Sequence, residues 1–179
     1  LGVLPEELSL FERLTARQYL TFCGRMHGLT GDEAAGRAEE LLTLTALREK
    51  AASLVAEYSK GMRRRLAIAA ALIHAPQVVL LDEPFEGIDI IAVGVVRELL
   101  CELSRRGVTI LLTTHVLEIA ERLATHAGII LGGRVVDQGT IAELTARHQV
   151  RSLQAVFEKL IGSPDSRAAA LSFYGKEGP

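Results

Sequence analysis

Between residues 78 and 131, short apolar runs alternate with helical stretches. VVLL (78–81) is followed by a helical pattern near 91–106, then VTILLTT (108–114), a second helical pattern near 116–125 and AGIIL (127–131). Parallel strands need a crossover of a dozen or more residues, usually a helix. Alternation on this spacing therefore predicts an α/β fold with a parallel sheet covered by helices. The first run continues as VVLLDEPFEGID, so an apolar strand passes directly into Asp82 and Glu83. Ligands of open parallel sheets bind beyond the carboxyl ends of the strands. Adjacent carboxylates at that edge suit a magnesium phosphate site, the first holding the metal or its waters and the second orienting an attacking water. A lone Asp-Glu pair after a strand is more often two solvated loop acids. His115, just beyond VTILLTT, adds weight, because two parallel strands would then present Asp82, Glu83 and His115 on one edge.

The 179 residues suffice for one domain with a sizeable core. Hydrophobic residues make up 49% and charged residues 23%, which excludes a disordered chain. A net charge of −2 gives no reason to expect a nucleic-acid partner. Cys23 and Cys101 lie far apart, match no metal spacing and fit a reducing compartment. No apolar stretch approaches the ~18 residues of a membrane span. The chain opens on Leu1 within LGVLP, a strand-to-loop passage, so an N-terminal portion is expected to be missing.

The first half reads as helical. FERLTARQYLTFCGRMHGL (11–29) has helical spacing, with Thr15 as N-cap and Gly28 as its end. Residues 30–52 read as a helix followed by a short one, and KGMRRRLAIAAALIH (60–74) as a third helix closed by Pro76. The Ser59-x-Gly61 start of that helix would expose backbone N–H groups and a hydroxyl to an anion, aided by the helix dipole. Arg63 and Arg64 in its first turn are expected on a solvated face, although with Arg65 they could also favour a nearby triphosphate. Gly132-Gly133 signals a hairpin into RVVDQGT (134–140). Beyond Gly162 the periodicity is lost and a loose tail is expected.

In order and spacing, these segments resemble the nucleotide-binding domain of ABC transporters, in the form found among bacterial export ATPases. YSKGM (58–62) resembles the signature motif, VVLLDEP the Walker B strand, GID (87–89) the D-loop, TTH (113–115) the switch histidine and LGVLPEE (1–7) the Q-loop region. SLQAVFEKLIG (152–162) is similar to the closing helix of drug, sodium and polysaccharide-type export ATPases. The likeness covers residues 1 to about 162. It implies a P-loop NTPase (RecA-like) core with an inserted helical subdomain over about 11–74, the partial nucleotide-binding domain covering 1–145 and a C-terminal helix and tail 146–179. It further implies ATP and Mg²⁺ as cofactors, Asp82 as the metal acid, Glu83 as catalytic base, and His115 as a γ-phosphate contact. Ser59 and Gly61 would touch ATP held by the opposite subunit, Glu6 falls at the Q-loop position, and Asp89 at a dimer interface. The partners implied are transmembrane permease subunits and a second nucleotide-binding domain, at the cytoplasmic face of the membrane. Asp82, Glu83 and His115 are expected at one sheet edge, with the Ser59–Gly61 helix start displaced to a separate lobe.

The sequence departs from the family pattern at Glu6 (usually glutamine), Lys60 (glycine), Met62 (glutamine), Ile90 (proline) and Thr125 (an acid). No G-x-x-x-x-G-K-[ST] loop occurs in these residues. The family places it upstream of LGVLP, on a strand expected beside VVLL. Residues 1–179 alone are therefore expected to bind ATP poorly and not to turn it over. Besides the export ATPase, two readings stand open. A non-catalytic half or truncated fragment would contribute Ser59 and Gly61 in trans. A soluble ABC ATPase of translation or DNA repair is disfavoured by the closing helix and the lack of long heptads.

Overall fold

The computed structural model describes residues 1–162, and the tail expected after Gly162 lies outside the described residues. Two compact units divide between His115 and Val116.

The first unit carries a three-stranded parallel sheet in the order β1 (Gly2–Leu4), β2 (Val78–Asp82), β3 (Thr109–Thr113). Alternation of side chains across the pleat puts Leu4, Val79 and Leu81 on a buried face, while Val3 and Leu111 on the opposite face are exposed. The β2 run is therefore half-buried, with intermediate Leu80 between its two fully buried neighbours. Helix α4 (Ile90–Arg105) supplies the crossover from β2 to β3 and buries Ala92, Val96, Leu99 and Leu100.

VVLL has both of its strand partners inside this chain, Gly2–Leu4 on one side and Thr109–Thr113 on the other. The expectation that another strand lies beside it is thus corrected. A strand has only two hydrogen-bonding edges, and those of β2 are filled in register from Val78 to Asp82 on the β3 side.

Helices α1 (Ala16–Met26), α2 (Gly31–Leu44) and α3 (Lys60–Leu72), with two short 3-10 turns at Arg48–Lys50 and Val55–Glu57, make up the rest of the unit's regular structure. Thr15 caps α1 through a reciprocal box with Gln18, and Thr30 caps α2 with Glu33 in the same way. Each box satisfies two N–H groups that a helix start otherwise leaves without partners. Gly28, at φ +88°, ends the α1 segment as its sequence position suggested. Helix α3 is mostly buried, which suits its nearly continuous run of Leu, Ile and Ala.

The second unit holds α5 (Leu117–Leu123), the antiparallel hairpin β4 (His126–Leu131) and β5 (Arg134–Thr140), α6 (Ile141–His148) and α7 (Leu153–Ile161). Gly132 and Gly133 both have positive φ, the requirement of a two-residue type I′ hairpin turn. Ile129, Leu144, Leu153 and Val156 form its core, with Leu117 and Ala120 packed against them. Asp137 ties the hairpin to α6 by accepting from Arg147 and from His148 Nε2 at 2.7 Å. No described helix is long and apolar enough to cross a membrane.

Candidate functional site

Strands β2 and β3 end in register, with Asp82 opposite Thr113. Beyond them the chain carries Glu83 and His115, so the carboxyl edge of the sheet collects all three residues expected there. The backbone N–H of His115 donates to Glu83 Oε1 at 2.9 Å, and its ring Nδ1 lies 2.9 Å from the same oxygen. The Glu83 carboxylate is mostly shielded, at 19% exposure, while the His115 ring is 74% exposed. This pairing raises the His115 pKa above the ordinary imidazole value, through the hydrogen bond first and the carboxylate charge second. Glu83 sits at φ +45°, a left-handed backbone state uncommon for residues other than glycine. Its N–H donates to Thr113 at two points, the carbonyl oxygen at 3.2 Å and Oγ1 at 3.3 Å. The Thr113 hydroxyl in turn donates to Asp82 Oδ1.

Glu6 lies just beyond β1 on this same edge, since Leu4 pairs with Leu81. It is exposed. No cluster of three or more His, Cys, Asp or Glu among the described residues forms a ready metal cage. Asp82, at the end of β2, is a carboxylate that could hold Mg²⁺, a metal commonly bound by one or two carboxylates with phosphate oxygens and water completing the octahedron.

Ser59 is the N-cap of α3, its Oγ accepting from Met62 N at 3.2 Å. The helix start is not displaced to a separate lobe. It belongs to the same compact unit as the sheet edge and packs on the turn that follows Glu83. A Cβ added to Gly61 would meet the Gly87 carbonyl oxygen at 2.5 Å. Lys60 Nζ donates to Glu86 Oε1 at 2.6 Å, and Arg64 Nη2 to Glu86 Oε2 at 3.0 Å. These cations, Lys60 foremost, hold Glu86 below the usual carboxylate range. Two glycine backbones in close approach and a shared carboxylate are what bring the elements together.

The arginines divide differently from the sequence reading. Arg63 is partly exposed and donates to Glu12, Tyr58 O and Ala56 O. Arg64, expected on a solvated face, is instead 1% exposed and also donates to Pro5 O at 2.9 Å. Glu86 and the Pro5 carbonyl supply the acceptors that a guanidinium needs in order to leave water. Arg65 is buried and donates to Thr45 O and Ala46 O. Asp89 caps α4, accepting from Ile91 N at 3.2 Å and Ala92 N at 3.0 Å, and these backbone donors lower its pKa.

Sequence reasoning missed Thr113 and Glu86. The first had a usable signal, because a parallel neighbour strand of equal length ending in threonine sets its hydroxyl level with Asp82. Glu86 had none, since its partners are 22 and 26 residues away in the chain.

Comparison with known proteins gives a consistent picture. The family model for ABC transporters matches residues 1–86. The chain is 39% identical over 147 residues to the linearmycin resistance ATP-binding protein LnrL of Bacillus subtilis (strain 168), covering 82% of this chain and 47% of that protein. It is 39% identical over 145 residues to the Nod factor export ATP-binding protein I of Paraburkholderia xenovorans (strain LB400), covering 81% and 48%. A solved ATP-binding subunit of an ABC transporter superimposes with a TM-score of 0.80 at 32% identity, covering 89% of this chain and 67% of that one. The chain thus spans about half the length of these curated relatives and two thirds of the solved subunit.

Proposed function

Since the chain belongs to the ABC transporter family, sharing sequence and fold with its ATP-binding subunits, we propose that it is the ATP-binding and ATP-hydrolysing part of an exporter. It would act at the cytoplasmic face of a membrane and drive separate transmembrane subunits, as one of two nucleotide-binding domains. The names of its relatives, which concern linearmycin resistance and Nod factor export, support the export direction. The observation that carries the reading is the junction of Asp82, Glu83 and His115 at one carboxyl edge of a parallel sheet.

Each of these residues has a chemical task in this proposal. Asp82 would hold the Mg²⁺ that accompanies ATP, and that metal would supply charge neutralisation of the phosphates. Glu83 takes the proton of the attacking water, its carboxylate oriented by the main-chain N–H of His115. The exposed His115 ring offers a donor to the γ-phosphate. Ser59 and Gly61 present a hydroxyl and helix-start N–H groups to the nucleotide of the second subunit. Asp89 and its neighbours would face that subunit, and Glu6 would be a carboxylate available to the metal's water.

Turnover of Mg-ATP by the protein expressed from its complete gene tests this. Glu83→Gln should lower hydrolysis by about 10²–10⁴-fold, the usual contribution of a general base, with nucleotide binding retained. Hydrolysis at the wild-type rate would remove Glu83 from the role.

A further inference from the structure

We propose that Thr113 is a positioning residue for the two acids, its single hydroxyl orienting the Asp82 carboxylate toward the nucleotide's divalent cation while pinning the backbone from which Glu83 projects. The inference rests on the reading of Asp82 and Glu83 given above. The hydroxyl has one proton and free lone pairs, so it can donate once and accept as well. The structure uses both capacities: Oγ1 donates to Asp82 Oδ1 and accepts from Glu83 N at 3.3 Å. Asp82 is a carboxylate at a strand end, and a hydrogen bond to one oxygen leaves the other available to a metal. Glu83 is held at φ +45°, and backbone in that region persists only when its surroundings over-determine it. Two bonds from its N–H to Thr113 and two contacts of its carboxylate with His115 do so. Register explains why residue 113 serves, since it is the β3 residue paired with Asp82.

Outer partners of this kind typically change metal affinity or activity by about 10–100-fold when removed. The test compares Thr113→Val, Thr113→Ala and Thr113→Ser in the protein expressed from its complete gene. Valine keeps the shape and the strand preference but lacks the hydroxyl; serine keeps the hydroxyl but loses the β-branch. A packing role predicts that valine is tolerated and serine is worse. A positioning role predicts the reverse order. Two quantities are read: Mn²⁺ binding in the presence of ADP by electron paramagnetic resonance, and the Mg²⁺ concentration for half-maximal ATP hydrolysis. Both should weaken about 10–100-fold in the valine and alanine chains and be restored by serine. Wild-type Mn²⁺ affinity in either hydroxyl-free chain, or failure of serine to restore it, overturns the proposal. Glu83→Gln and Asp82→Asn are run alongside. If these also leave hydrolysis intact, the functional reading itself has failed; if they abolish it while Thr113→Val is wild type, only the role of Thr113 has.

Discussion

His115 and Glu83 carry the clearest electrostatic consequence at the scale of single residues. The carboxylate raises the imidazole pKa, so the protonated ring is favoured beyond the ordinary value of about 6.5. For a raised histidine, the contribution of the charged pair is complete below the unfolded pKa. It is lost as pH rises through the folded one. NMR titration of the His115 ring should place its midpoint above that of a free imidazole, and Glu83→Gln should move it back down. An unmoved midpoint in the glutamine chain would mean that Glu83 is not the cause. Asp82 and Glu83 could be picked from sequence because two acids ending an apolar run are chemically conspicuous. Thr113 is chemically plain, and only its register beside Asp82 makes it matter.

At the scale of elements, the start of α3 and the turn after β2 behave as one piece. Gly61 meets the Gly87 backbone so closely that any added carbon collides with a carbonyl oxygen. Gly61→Ala should therefore destabilise the protein by roughly 1–3 kcal/mol, the usual cost of overpacking, read as a lower midpoint in chemical denaturation. Gly36 is the contrast. It lies inside α2 with nothing within 4 Å of a Cβ. Gly36→Ala should raise stability by about 0.5–1 kcal/mol through helix propensity alone. Opposite signs for the same substitution would show that close approach, not glycine content, governs the α3 start. Helix and strand positions were legible because capping residues, breakers and apolar periodicity are local. Thr15, Thr30, Gly28 and the Gly132-Gly133 turn all sit where their residue types imply.

For the first compact unit as a whole, Arg64 is the unifying side chain. Buried at the start of α3, it reaches Pro5 O after β1 and Glu86 after β2, joining three segments far apart in sequence. Arg64→Met should keep most of the packing volume but leave the Pro5 carbonyl without its donor and Glu86 with Lys60 alone. A loss of about 2–3 kcal/mol follows from removing the hydrogen bonds made by a buried charged group. Denaturation of the variant checks it, and an unchanged midpoint would show that the unpaired Nε of Arg64 already cancels what its other nitrogens contribute.

The sequence by itself determined the α/β alternation, the positions of α1 to α5, and the grouping of Asp82, Glu83 and His115 at strand ends, whereas α6 was not read from it. All of these follow from local periodicity and from the rule that parallel strands present their carboxyl ends together. Tertiary structure alone decided which strands flank VVLL, because hydrogen-bonding order in a sheet is not written in the periodicity of any one strand. It also decided that Ser59–Gly61 packs on Gly87 and that Arg64 is buried while Arg63 is not. Those outcomes depend on partners separated by tens of residues. A charged side chain is buried or solvated according to the acceptors that folding brings to it, and its neighbours in the chain do not reveal them.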